Sequence, residues 1–312
     1  MKMRRLGADG PEISVVGFGA WEMGGSHWGP NPEEDVLGAA IHAGLDAGMN
    51  WIDTAEVYGN GVSEEVIGRV LGSRDDVLVF TKVAPSPTGS GFTPEQVRAA
   101  AQKSLRRLQR EVIDVYQLHW PSGDVPIEET WGAMAELAAE GIVRYIGVSN
   151  FDVELLERCL AVRHVDSLQP HFSMLKRDAR DDLLPFCDQK GIGVVAYGPL
   201  GFGLLTGAIT METTFHDEDW RAGKTGLGNY ERLFAPEARA KHLAVVDSLR
   251  PVADRLGVSL AELALAWNIH QTGVTGAIAG SRDPAHTGTN ARAGHLVLTE
   301  KDLEEIEGLL AG

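Results

Sequence analysis

The chain has 312 residues, with 28 Lys and Arg against 44 Asp and Glu and a formal net charge of −16. At 44% hydrophobic and 23% charged residues it is an ordinary core-forming mixture, which excludes collagen, coiled coil and disordered tail. The acidic balance argues against nucleic acid or an anionic membrane surface as a partner.

In chain order, MKMRRLGADGPEIS carries basic residues with no apolar core behind them, so it reads as a short N-terminal segment and not as a signal peptide. Eight short apolar or β-branched runs follow: VVGFGA (15–20), NWIDTA (50–55), VLVFTKV (77–83), IDVYQLHW (113–120), YIGVSN (145–150), SLQPHF (167–172), GVVAYGPL (193–200) and VTGAIAG (274–280). They are continuously apolar rather than alternating, the pattern of parallel strands covered on both faces. Helical stretches lie between them. TPEQVRAAAQKSLRRLQ offers Thr93 as a cap, Pro94 at the first helical position, and Val97, Ala101, Leu105 and Leu108 on one face. IEETWGAMAELAAEG carries Trp131, Ala135 and Ala138 on one stripe and stops at Gly141.

Strand and helix alternate without a linker, and no GxGxxG follows the first strand. The pattern predicts one α/β domain over 1–312, a (β/α)8 TIM barrel rather than an open doubly wound sheet. Residues 201–236, after the seventh strand, are rich in Gly, polar residues and aromatics (Phe215, Trp220, Tyr230, Phe234). So long a connection is expected to be a lid over the site. TEKDLEEIEGLL predicts a C-terminal helix started by Thr299 and Asp302. No apolar run nears the roughly 20 residues of a membrane span. Cys159 and Cys187 form neither a disulfide framework nor a metal spacing, which points to reduced thiols in a cytoplasmic protein.

In such a barrel the reactive groups stand at the C-terminal strand ends. The polar residues expected there are Asp53, Tyr58, Lys82, His119, Ser149, Asn150 and Gln169. Lys82 is the most informative, because a lysine inside the apolar run VLVFTKV must find an acceptor for its charge; Asp53 could supply it. Singly, each has a plainer reading: Asp53 with Lys82 a structural ion pair, His119 a satisfied core histidine, Tyr58 a turn aromatic before Gly59-Asn60-Gly61. Together they assemble acid, base and proton donor at one rim.

These residues also carry a resemblance. DTAEVYGNGVSEEVIG, the lysine of VFTKV, YQLHWP, GIVRYIGVSNF, SLQPHFSML and GVVAYGPLGFGLLTG resemble, in order and over nearly the whole chain, the signature segments of the aldo-keto reductase superfamily, in particular the bacterial reductases with a GSR-type cofactor motif. The resemblance implies Tyr58 as proton donor, Asp53 and Lys82 as its tuning partners, and His119 as the group that orients a substrate carbonyl. An adjacent ammonium is expected to lower the phenol below its usual pKa of about 10. It further implies a nicotinamide held by Ser149, Asn150 and Gln169, with Tyr197 stacked on its ring. Gly198 stands where the family commonly has Ser, and Leu200 with its neighbouring glycines lies where the family loop crosses the pyrophosphate. The adenosine end falls on Gly280, Ser281, Arg282, His286 and Asn290, with His286 where these reductases usually have Gln. Ser281 and Arg282 at a helix start favour a 2′-phosphate, hence NADPH over NADH. Trp21 and Trp120 match positions that wall the substrate pocket; with WEMGGSHWGP and the 201–236 loop they would make an apolar cleft for a small-molecule carbonyl substrate. No metal is required.

The expected activity is NADPH-dependent reduction of aldehydes or ketones to alcohols. Sugar or polyol oxidation, and a nucleotide-sensing regulatory subunit with little turnover, are the alternatives on the same fold. A Schiff-base aldolase would also use a strand-end lysine, but one that is neutral and free.

Overall fold

The N-terminal segment folds as an antiparallel hairpin, β1 (Met3–Arg5) against β2 (Glu12–Ser14), a pairing that the sequence reading left as an undifferentiated segment. Leu6 and Ile13 from this hairpin are fully buried and pack with Trp51, Phe80, Val115, Val195 and Ile278 inside the barrel. The hairpin therefore stoppers one end of the barrel with apolar side chains.

The eight apolar runs become parallel strands: β3 (Val16–Gly19), β4 (Trp51–Asp53), β5 (Leu78–Val83), β6 (Ile113–Leu118), β7 (Val143–Ser149), β8 (Ser167–Gln169), β9 (Gly193–Ala196) and β10 (Gly276–Gly280). They close in chain order, β10 pairing with both β3 and β9. This computed structural model describes residues 1–25, 27–225 and 230–311. Ser26 of the segment after β3, residues 226–229 of the expected lid, and Gly312 at the end of the expected domain lie outside the described residues.

Bulky side chains fill the interior wherever small ones make room. Trp51 is fully buried and donates from Nε1 to the Ser14 carbonyl at 2.8 Å, and a Cβ on Gly17 would stand 2.1 Å from its indole. The helix Pro94–Leu108 starts as expected: Thr93 Oγ1 accepts from the Gln96 N–H while the Gln96 side chain accepts from the Thr93 N–H. Thr299 and Asp302 make the same reciprocal cap ahead of Glu300–Ala311. In the helix Ile127–Ala139 the buried stripe runs through Trp131, Met134 and Leu137, with Ala135 and Ala138 only at its border. A wide apolar face, not a narrow seam, meets the barrel there. Burial pushes the thiols of Cys159 and Cys187 up to about 12, so both are protonated small hydrophobes.

Parallel register brings one layer of interior positions level: Lys82 opposite Gln117, Gln117 opposite Gly147, and Gly147 opposite Ser167. That layer underlies the site.

Candidate active site

Asp53 ends β4, Lys82 lies one residue before the end of β5, and His119 follows β6. Tyr58 sits on the turn after β4, where its N–H donates to the Ala55 carbonyl and its own carbonyl accepts from Ser63. Gly24 lets that turn close in, since a Cβ there would be 2.5 Å from the Tyr58 carbonyl carbon. The structure thus brings Asp53, Tyr58, Lys82 and His119 together. Lys82 is wholly buried; its Nζ donates to Asp53 Oδ1 at 2.7 Å and to the Thr54 carbonyl at 2.8 Å, and lies 3.5 Å from the Tyr58 hydroxyl. Asp53 Oδ2 accepts from Gln169 Nε2 at 2.8 Å. Every oxygen of the buried carboxylate has a donor, as a buried charge requires. His119 meets Tyr58 edge to face at 5.6 Å and stacks on Trp120 at 3.7 Å. Its Nδ1 is buried without a hydrogen-bond partner.

The electrostatics depart from one expectation. Tyr58 is pushed well above the ordinary phenol value, first by burial and then by the Asp53 carboxylate and Tyr230. Lys82 Nζ lies closer to Asp53 Oδ1, at 2.7 Å, than to the Tyr58 hydroxyl, at 3.5 Å, so the carboxylate offsets part of its pull on the phenol. Tyr58 is therefore protonated at neutral pH, the state from which a proton donor must start. His119 is driven well below its usual range by burial and by Lys82, so it is a neutral imidazole. Burial also lowers Lys82, against the opposing pull of Asp53.

The residues expected at a nicotinamide surround the next strand ends. Ser149 Oγ donates to the Gln169 carbonyl at 2.9 Å, and Asn150 Nδ2 donates to the His119 carbonyl and to Ser149 Oγ, each at 3.0 Å. Asn150 adopts φ 62°, a left-handed conformation that turns its amide off the strand end. A hydroxyl and two amides form a donor and acceptor set that fits a carboxamide. Tyr197 packs one ring face on His171 at 5.0 Å, and its hydroxyl donates to Asn150 Oδ1 at 2.8 Å while meeting the Tyr230 hydroxyl at 2.9 Å. Gly198 follows at φ 64°, and Leu200 caps the short helical turn Gly201–Thr206.

At the far end Gly280 closes β10, and Ser281, Arg282, His286 and Asn290 lie at and along the helix Pro284–Arg292. At this helix start Asp283 Oδ1 accepts from the Ala285 N–H and Ser281 Oγ accepts from the Asp283 N–H. Arg282 donates to the carbonyls of Trp28 and Pro30, each at 2.9 Å. His286 is exposed, 3.9 Å from Asp283, and Asn290 is buried.

Among the described residues the 201–236 connection is no bare loop: it carries short helical turns at Trp220–Ala222 and Glu231–Phe234, and a turn over Gly201–Thr206 that is kinked at Phe202 and Gly203. Its aromatics join Trp28 in a buried cluster of Phe202, Leu204, Ile209, Trp220 and Phe234. Trp220 donates its N–H to the His27 carbonyl, Trp28 bridges Asp219, and Trp21 stacks on Trp220 at 6.1 Å. Trp21 also stands 6.2 Å from the Tyr58 ring. Cavities of about 340 and 310 Å³ lie instead against the N-terminal hairpin, away from all these groups. Among the described residues, no cluster of His, Cys, Asp or Glu could hold a metal ion, and no helix is long and apolar enough to cross a membrane.

Sequence reasoning missed Gln117 and Ser167. Gln169 Nε2 donates to Gln117 Oε1 at 3.1 Å, and Gln117 Nε2 to Ser167 Oγ at 3.2 Å. The signal was present, because Gln117 interrupts the apolar run IDVYQLHW as Lys82 interrupts VLVFTKV.

Comparison with known proteins gives the family. The family model described as the Aldo/keto reductase family matches residues 15–311. The chain is 35% identical to the aldo-keto reductase YhdN of Bacillus subtilis (strain 168), covering 99% of this chain and 94% of that one. Among solved structures, a glycerol dehydrogenase from Gluconobacter oxydans superposes with a TM-score of 0.86 at 32% identity, over 99% of this chain and 94% of that chain. An aldo/keto reductase from Klebsiella pneumoniae in complex with NADP and acetate gives a TM-score of 0.75 at 32% identity, over 99% and 95%. With the family matched from the first barrel strand to the C-terminal helix, the chain belongs to the aldo-keto reductases.

Proposed function

We propose that this aldo-keto reductase reduces aldehydes or ketones to alcohols with NADPH, with Tyr58 as the proton donor. The observation that carries this reading is the Tyr58 hydroxyl 3.5 Å from a buried Lys82 ammonium that Asp53 and the Thr54 carbonyl hold in place. A reduced nicotinamide, when bound, supplies the hydride that the carbonyl carbon receives. Ser149, Asn150 and Gln169 would hold its carboxamide, and Tyr197 would stack on its ring. Neutral His119 orients the carbonyl oxygen without donating a charge to it. Tyr58 passes its proton to that oxygen, and the Lys82 ammonium stabilises the phenolate left behind until solvent returns the proton. Tyr58 starts this step protonated, as burial and Asp53 dictate. Asp53 keeps Lys82 charged, which disfavours a Schiff-base role.

The preference for NADPH rests on Arg282, whose guanidinium fork suits a 2′-phosphate, and on the NADP complex of the Klebsiella relative. Running the same steps backward oxidises a polyol, a reading favoured by the similarity to a glycerol dehydrogenase. Following NADPH consumption across aldehydes, ketones and sugars, with NADH and the NADP-linked oxidation of polyols run in parallel, tests both. Turnover with no carbonyl and no polyol would reject the assignment.

A further inference from the structure

The level layer beneath the site assigns a task to Gln117. Lys82, Gln117, Gly147 and Ser167 occupy matching positions on β5, β6, β7 and β8. Gly147 is what lets Gln117 span β7: a Cβ there would stand 2.1 Å from Ser167 Oγ and 3.3 Å from Gln117 Cγ. Across that gap Gln117 donates to Ser167 Oγ, which leaves its Oε1 turned toward Gln169. Gln169 Nε2 has two hydrogens, and both are spent, one on Gln117 Oε1 and one on Asp53 Oδ2. Gln117, Ser167 and Gln169 are all essentially buried, so an amide turned the wrong way would leave polar atoms unpaired without water to satisfy them. The polarity of the Gln169 amide is thereby fixed.

We infer that Gln117 is a positioning residue which, with Gly147 and Ser167 behind it, locks Gln169 so that only its Oε1 faces the cofactor side and can accept there, selecting a ring substituent that donates an N–H. This rests on the assignment of Gln169 to the nicotinamide carboxamide. Asp53 alone leaves one Gln169 hydrogen without an acceptor, and that hydrogen is free to seek one if Gln117 is lost.

The test uses Gln117→Met, a replacement of similar volume without the acceptor, and Ser167→Ala, which leaves the acceptor but unanchors it. Dissociation constants are measured by titration for NADPH and for its 3-acetylpyridine analogue, whose ring substituent lacks N–H donors. The wild-type chain is expected to prefer NADPH, by roughly five- to tenfold for one hydrogen bond. Gln117→Met is expected to weaken NADPH alone and narrow the ratio, the Asp53 contact keeping part of it, with Ser167→Ala in between. A merely structural role would weaken both ligands together and leave the ratio intact. An unchanged ratio in Gln117→Met overturns the inference; should that variant not fold, an unchanged ratio in Ser167→Ala does so. If wild type binds both ligands equally, Gln169 does not accept from the carboxamide and the inference also fails. Binding of neither NADPH nor NADH by wild type would reject the functional assignment itself.

Discussion

The Tyr197 hydroxyl donates to Asn150 Oδ1 at 2.8 Å, so one of the groups fit to receive a carboxamide is engaged by the residue that would stack on the ring. On the proposed function, the carboxamide N–H and the phenol would compete for one acceptor. Tyr197→Phe keeps the aromatic face and removes the competitor. NADPH is expected to bind more tightly to this variant, by roughly fivefold for a hydrogen bond of about 1 kcal/mol. Fluorescence titration measures this directly. Weaker binding would mean that the Tyr197 hydroxyl itself contacts the cofactor.

Tyr58→Phe preserves the ring that faces His119 and Trp21 but has no proton to give. Turnover should fall by at least the 10²–10⁴-fold typical of a lost general acid, while the dissociation constant for NADPH stays within about twofold. Single-turnover rates measured alongside the titration separate the two effects. Near-normal turnover would remove Tyr58 from the chemistry.

The barrel and the quartet at its rim were legible because each leaves a mark in one short window of sequence. Continuous apolar runs mark strands buried on both faces, and a charge such as Lys82 inside one demands a partner. What was not legible depends on pairing across distant segments. The hairpin of β1 and β2 is three residues a side and too short for a period. The task of Gln117 appears only when the register sets Gly147 between it and Ser167. The upward displacement of Tyr58 arises from burial together with Asp53 and Tyr230, the last more than 170 residues away along the chain. Local sequence announces Lys82 as the neighbour of Tyr58 but does not reveal that burial and the Asp53 carboxylate raise the phenol against it.

His171 connects the site to stability in acid. Burial and the nearby Lys176 lower its imidazole from 6.5 to about 4, and its Nε2 is buried without a partner. The unfolded chain therefore takes up the proton first as pH falls. The stability His171 contributes is complete above about 6.5 and is lost progressively down to about 4. His171→Phe keeps the stack on Tyr197 and removes this titration. Between pH 7.5 and 5, wild type is expected to lose roughly 1–2 kcal/mol more than the variant in urea unfolding. Equal losses would show that the imidazole is already solvated in the folded state.

Arg282 ties the start of the helix Pro284–Arg292 to the 28–31 segment. It donates to the carbonyls of Trp28 and Pro30, and Trp28 in turn bridges Asp219 while Trp220 donates to His27. A 2′-phosphate recruited to this guanidinium must be reached with those carbonyls still satisfied or exchanged. The remaining N–H groups of the fork make the first course available. Arg282→Ala should then weaken NADPH by tenfold or more, a typical loss of about 1.5–3 kcal/mol for a charge-assisted hydrogen bond. NADH, which lacks the phosphate, loses only what the looser 27–31 segment costs, about twofold or less if that segment is held mainly by Trp28 and Trp220. Titration of both cofactors against both proteins gives the ratio that matters. A parallel fall for NADH and NADPH would place the role of Arg282 in anchoring the 27–31 segment, and the 2′-phosphate elsewhere.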